Sequence, residues 1–328
     1  MTVKDKIKQK IRISAGTASV LGLNNMVQKH PSRTAYFMVG ERCENSCLFC
    51  TQSTSSCADT SFLSRISWPE MDTLKVFERL KEKADLTETE RVCFQVVAGK
   101  DSNRDLTWLI KEIKSKDINV KISVSVNTRD AEFIDELMLL GADNISIPLD
   151  AATPELFKKH KGCQWDNIWD VLDYTAVNYP GKTATHLILG LGETEKEIIE
   201  LLYILHLKGI NTGLFAFTPI KGTPLSDKIP PELSYYRRIQ LIYYLIKKNI
   251  LTEFEFKDDK FKLPDTVKKL LKDDMNNKEF KYKEVFNTCG CTLCTRPYYN
   301  ETPGSIPYNY PGDLTDEEYT EAVTAAIS

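Results

Sequence analysis

Three cysteines stand at positions 43, 47 and 50 in the stretch GERCENSCLFCTQ, directly after the apolar run AYFMVG. Spacings of four and three residues would also place thiols on one helical face, where they would pack as a core seam, because free cysteine is among the most buried residue types. The neighbours favour a loop: Gly40, Glu41 and Arg42 follow the apolar run, and Asn45 and Ser46 separate the first two cysteines. Thiolates on such a loop suit an iron–sulfur cluster or zinc. A closed zinc site takes four ligands, so three leave one coordination position open. A second group, Cys289, Cys291 and Cys294, lies in NTCGCTLCTRPYYNETPG. Packing explains it poorly, since a short Gly-containing loop buries thiols inefficiently. A metal site is expected there, with a zinc staple for the tail as the structural alternative.

The elements that would position these groups are legible as alternation. Strand-like runs occur at 35–40, 91–99, 120–126, 144–150, 185–192 and 213–220, separated by helical segments such as AEFIDELMLLGA and EKEIIELLYILHLKG. Repeated β/α units build a parallel sheet with helices outside, and six in unbroken series predict a TIM-type (β/α) barrel, full or partial. A helix around 232–248 and a possible strand LTEFEF follow, and then a Pro- and Tyr-rich tail that reads as an irregular wrap. The expected organisation is an N-terminal segment 1–34, a barrel 35–260 and an extension 261–328.

Strand parity sorts the side chains. Val92, Phe94, Val96, Ile122, Val124, Val126, Ile145, Ile147, Leu149, Leu187 and Leu189 share the apolar parity that outer helices cover. The other parity puts Cys93, Gln95, Ser123, Ser125, Ser146, Asp150 and His186 in the lumen. Packed barrels fill that space with branched apolar residues, so a polar lining reads as a ligand chamber; the alternative is a polar interior satisfied by hydrogen bonds and water. Asp150 could equally cap a helix starting at TPELFKKH.

Bulk properties narrow the partners. The 328 residues are 42% hydrophobic and 27% charged with a net charge of −3, an ordinary globular composition with no basic footprint for nucleic acid. The N-terminal MTVKDKIKQKIR lacks the apolar core of a signal peptide and no run suits a membrane span. A cytoplasmic setting is expected, in which nine cysteines are mostly reduced thiols or ligands.

The CxxxCxxC pattern of Cys43, Cys47 and Cys50 resembles the radical S-adenosylmethionine (SAM) enzymes, whose motif also favours the aromatic residue seen at Phe49. The resemblance implies a [4Fe–4S] cluster whose fourth iron is chelated by S-adenosylmethionine. HLILGLGET is similar to the family's GxIxGxxE segment, with Ile188, Gly190 and Glu193 in register and His186 replacing the first glycine. It implies that this strand contacts adenine and that Asp150 contacts ribose; Gln95, Ser123 and Ser125 are further candidates for holding the nucleoside. LGLGETEKE and PIKGTPLSD resemble the biotin and lipoyl synthase branch. Biotin synthase binds an auxiliary cluster with three luminal cysteines and an arginine. Cys93 matches the first, but Ser123 and Ala184 stand at the others, so Cys93, Cys57 and Cys163 are expected to be structural thiols. The cysteine-bearing tail, with RPYYNE and PYNYP, looks like the archaeal-type lipoyl synthases that work as a protein pair.

That resemblance implies radical sulfur insertion into an octanoyl chain on a carrier protein or peptide, with Cys289, Cys291 and Cys294 holding an auxiliary, sulfur-donating iron–sulfur cluster. It also implies an electron donor such as ferredoxin or flavodoxin, and a sister radical SAM protein. Tyr298, Tyr299, Tyr308 and Tyr310 either line an acyl entrance or pack the tail. The same barrel could also serve sulfuration of another substrate or a radical rearrangement, with the tail cysteines as a structural metal site.

Overall fold

The computed structural model describes residues 9–296 and 304–328. Its sheet opens with a strand that apolar alternation does not announce. β1 (Lys10–Ile13) pairs antiparallel with β2 (Thr34–Val39). A small hairpin, β3 (Phe62–Leu63) and β4 (Ile66–Ser67), and an edge strand, β5 (Glu70–Asp72), precede the regular series β6 (Arg91–Val96), β7 (Lys121–Ser125), β8 (Asn144–Ser146), β9 (Thr183–Leu189) and β10 (Asn211–Ala216). The sheet order is β10-β9-β8-β7-β6-β2-β1-β5. β2 and β6 to β10 run parallel, whereas β1 and β5 are antiparallel additions. β10 and β5 end the order, so the expected (β/α) barrel is a partial one, left open between them.

The helices begin where side chains satisfy their first amide groups. Thr153 caps Pro154–Lys161, and Thr194 with Glu197 forms a capping box for Glu195–Leu207. Asp150 is therefore not a helix cap. The parity assignment holds on both faces. Val92, Phe94, Ile122, Val124, Ile145, Leu187 and Leu189 are buried in the layer between sheet and helices, each such side chain contributing roughly 1.5–3 kcal/mol. On β2 the luminal parity belongs to Tyr36 and Met38, which pack with Trp68 and Val97 in a separate small cluster.

The tail is more regular than its composition suggests. Helix Asp265–Asn276, a 3-10 turn at Lys283–Phe286 and helix Asp316–Ile327 flank the Pro- and Tyr-rich stretch, whose described residues 304–313 are the expected irregular wrap, tied down by a bridge between Tyr310 and Asn287. Tyr319, Ala322, Val323 and Ala326 form the buried stripe of the last helix, and the Tyr319 hydroxyl donates to Asp274 Oδ2 at 2.7 Å. The possible strand LTEFEF shrinks to β11 (Phe256–Lys257), which turns through Asp258 and Asp259, both at positive φ, into β12 (Lys260–Phe261). No helix among the described residues is long and apolar enough to cross a membrane.

Candidate functional site: two cysteine loops at opposite ends of one lumen

The first cysteine loop leaves the C-terminal end of β2 through Gly40. Its φ is +93°, and a Cβ there would lie 2.5 Å from both Ser102 Oγ and the Val97 carbonyl oxygen, so no other residue fits this turn. The loop is pinned to three neighbours: Glu44 N donates to Ala98 O at 2.7 Å, Leu48 N to His160 O at 2.8 Å and Cys57 N to Gly222 O at 2.9 Å. Cys47 is buried, and Cys43 and Cys50 are half-buried. Burial pushes the Cys47 thiol up to about 12, against the pull of the Lys161 ammonium, and the Cys50 thiol up to about 11. These sulfurs keep their protons unless a cation displaces them.

Beneath this loop lies a cavity of about 810 Å³, counted with its open mouth. Phe49, Cys50, Gln95, Ser125, Asp150, His186 and Ile188 line it, so seven predicted residues converge on one space. Leu63 and Ser64 of the β3–β4 hairpin and Phe215 and Phe217 complete the wall; apolar periodicity did not single these out. Asp150, at φ +66°, continues β8 by bridging to Leu187. Its Oδ2 accepts from Lys161 Nζ at 2.8 Å, and the same ammonium donates to Pro148 O at 2.6 Å. Lys161, with 1% of its side chain exposed, carries no signal in the sequence that marks it for this position.

Gly190 and Glu193 lie outside the lining. The Glu193 carboxylate accepts from the backbone N–H groups of Gly190, Leu191 and Gly192 at 2.6, 2.9 and 3.0 Å, and from the Tyr235 hydroxyl at 3.2 Å. Glu193 thus shapes the loop after β9 rather than facing the chamber.

The second cysteine loop closes the opposite, N-terminal end of the same lumen. Leu214 N donates to Cys289 Sγ at 3.3 Å, Asn144 Nδ2 to Cys291 Sγ at 3.1 Å, and the Tyr36 hydroxyl lies 3.7 Å from Cys294 Sγ. Thr34 Oγ1 donates to Leu293 O at 2.9 Å. Gly290 stacks on Gly213 of β10, where an added Cβ would come within 3.2 Å of Gly213 Cα. A side chain at 290 would press on the β10 backbone, at a φ of +117° that favours glycine. A lower, much tighter cavity, about 440 Å³ counted with all its open space, is lined by Cys93, Ser123, Ser146, Cys291 and Cys294 among others, and shares Gln95, Ser125 and His186 with the upper one. These three side chains stand between the two cavities and face both. His186, bonded to Ser146 Oγ at 3.2 Å, is held well below the usual histidine range by burial, with Arg296 and Lys161 adding to it. It is a neutral imidazole.

Tyr308 and Tyr310 pack the tail: the Tyr308 hydroxyl donates to Pro231 O at 2.6 Å, its ring meets Tyr236, and Tyr310 lies buried beside Arg237. They do not line either cavity. Tyr298 and Tyr299 lie outside the described residues.

A family profile, the radical SAM superfamily, matches residues 37–203. The chain belongs to the radical SAM superfamily. The matched span runs from β2 into helix Glu195–Leu207 and contains Cys43, Cys47, Cys50 and the upper chamber's predicted residues. No curated protein matches the chain. Among solved structures, it is similar to the FeFe-hydrogenase maturase HydG from Carboxydothermus hydrogenoformans, over 66% of this chain and 51% of that one, with a TM-score of 0.50 and 12% identity. A second HydG structure is similar over 70% and 57%, with a TM-score of 0.51 and 10% identity. Methylornithine synthase (PylB) is similar over 65% and 62%, with a TM-score of 0.49 and 15% identity. The chain therefore spans between half and two thirds of these proteins' own length, and identities this low speak for the fold alone.

Family membership implies a [4Fe–4S] cluster and S-adenosylmethionine. The upper site fits them: three thiols share one pinned loop, and a chamber of nucleoside size opens directly beneath with an aromatic ring, a carboxylate and hydroxyls on its wall. Among the described residues no three His, Cys, Asp or Glu side chains converge on a point that one metal ion could fill.

Proposed function

We propose that this enzyme inserts sulfur into an unactivated C–H bond of a protein-bound octanoyl chain, as a lipoyl synthase-like sulfurtransferase. The observation that carries the reading is the pair of cysteine loops at opposite ends of one polar lumen, with Gln95, Ser125 and His186 standing between their two cavities. When bound, the first cluster would supply the electron for reductive cleavage of S-adenosylmethionine, and a second cluster on the loop that carries Cys289, Cys291 and Cys294 would supply sulfide. The chain's own contribution is placement. Phe49 offers its ring to an adenine, Asp150 and Ser125 offer an acceptor and a hydroxyl to a ribose, and Ile188 closes the far wall. The buried Lys161 ammonium holds Asp150 in its strained backbone conformation. Phe215 and Phe217 furnish apolar surface for an acyl chain, and the chamber holds the reacting groups close together, which limits quenching of a reactive radical. His186, neutral, can orient a polar group without acting as an acid.

The proposed setting is the cytoplasm, with a ferredoxin or flavodoxin as electron donor, an octanoylated carrier protein or peptide as substrate, and a sister radical SAM protein as possible companion. Reconstituted protein, reductant, S-adenosylmethionine and octanoylated carrier peptide, read by mass spectrometry, test the reading. A mass gain of one sulfur is expected. Unmodified peptide alongside 5′-deoxyadenosine would overturn the substrate assignment, and no 5′-deoxyadenosine would overturn catalysis by this site.

A further inference from the structure

We propose that Cys93, borne on the barrel wall, is a ligand of the cluster at the closed end of the lumen, together with Cys291 and Cys294; this rests on the second cluster invoked above. Read from the sequence alone, Cys93 is a leftover structural thiol. Its surroundings say otherwise. Cys93, Cys291 and Cys294 line one cavity, whereas Cys289 does not: its sulfur accepts from Leu214 N and lies among apolar partners on the core side.

The strand register explains the convergence. Cys93 is paired with Tyr36 on β2 and Ser123 on β7. Tyr36 touches Cys294, and Asn144, opposite Ser123 on β8, donates to Cys291. Cys93 therefore sits on β6, one of the two strands that lie between β2 and β8, the strands that hold the tail thiols. A structural thiol would sit well on the opposite parity, with Val92 and Phe94 in the apolar layer. Cys93 instead faces a polar lumen and accepts a hydrogen bond from Gln95 Nε2 at 3.1 Å, the kind of donor that tunes cluster sulfurs.

Charge points the same way. Arg91 is 8% exposed, its Nη1 donates to Ser123 Oγ, and its Nε has no hydrogen-bond partner among the described residues. No aspartate or glutamate lines this cavity. A buried guanidinium needs an anion, and thiolates with their cluster are the anions this wall can offer. The consequence is positional: a cluster anchored on Cys93 lies one strand step below Gln95, which also lines the upper chamber, and so within reach of a substrate carbon beside Gln95.

The test uses the full chain with Cys43, Cys47 and Cys50 all changed to alanine, so that only the closed-end cluster remains, reconstituted anaerobically. Iron and sulfide content and the electron paramagnetic resonance spectrum of the reduced protein are read with and without Cys93→Ser, which nearly preserves volume, and with Cys163→Ser as control. Loss of at least half the remaining iron, or a changed spectrum, with Cys93→Ser but not with Cys163→Ser is expected. Circular dichroism and melting temperature check folding, and Cys93→Ala replaces the serine variant should that one unfold. Unchanged iron and an identical spectrum would overturn the Cys93 assignment while leaving the second cluster in place. A background protein holding no iron–sulfur cluster at all would overturn the second cluster itself, and with it the sulfur-donor reading.

Discussion

Replacing Asp150 with asparagine isolates a buried charge, and its cost can be worked from the geometry. Lys161 Nζ, on a side chain 1% exposed, donates to Asp150 Oδ2 at 2.8 Å and to a single carbonyl, Pro148 O. Asparagine keeps the shape but removes the counter-charge, and breaking a buried pair from one side costs about 3–5 kcal/mol. For a chain of 328 residues, an unfolding entropy of about 2.1 cal/mol/K per residue converts that cost into a fall in melting temperature of about 4–7 °C. Asp150→Asn combined with Lys161→Met should recover most of the loss, because an apolar side chain of similar length needs no counter-ion. Burial pulls the Lys161 pKa down, but Asp150, aided by Cys47, outweighs it and leaves the ammonium above its usual value. The pair's contribution is therefore fully present below the unfolded lysine value of about 10.4 and fades as pH rises through the folded value. The gap between wild type and Asp150→Asn should stay constant from pH 6 to 9. Differential scanning calorimetry of the metal-free protein reads all of this. A fall below about 1 °C, or no recovery in the double variant, would refute the account of Lys161 as a buried charge that depends on Asp150.

Other consequences are separable. Cys43→Ala, Cys47→Ala and Cys50→Ala should each abolish 5′-deoxyadenosine formation by chromatography, and substantial cleavage by any of them would refute the assignment. His186 is charged more easily in the unfolded chain than in the lumen, so its share of stability is lost as pH falls below about 6.5, with a slope approaching about 1.4 kcal/mol per pH unit; melting of wild type against His186→Gln at pH 7.5 and 5.5 should show the wild type losing more. Glu193→Ala removes the acceptor for three backbone N–H groups and should cost roughly 3 kcal/mol while weakening S-adenosylmethionine binding by calorimetry; unchanged stability would mean that the loop after β9 holds itself. Arg237 donates to the carbonyl oxygens of Pro307 and Tyr308 from a position 1% exposed, so Arg237→Met should speed proteolysis within 304–314 at least tenfold, and a tail as resistant as wild type would argue against this anchor.

Periodicity and local chemistry were enough for the barrel, because parallel strands covered by helices must be apolar on one parity, and any polar residue on the other is left facing the lumen. Gln95, Ser125, Asp150 and His186 were legible for that reason, and Cys43, Cys47 and Cys50 because their spacing and the preceding strand are local. β1, the β3–β4 hairpin and the last helix were less legible: two- to four-residue strands carry too little pattern, and the stripe of Tyr319, Ala322, Val323 and Ala326 has one large side chain and otherwise alanine and valine, close to a Pro-rich stretch. Tertiary structure alone decided which end of the barrel the tail would close. Nothing local relates Cys294 to Tyr36 or Cys291 to Asn144, some 258 and 147 residues away, and only strand register brings Cys93 between them. Lys161 and Arg91 were equally hidden, since a lysine in a helix and an arginine at a strand start look solvent-facing until the packing around them removes the solvent.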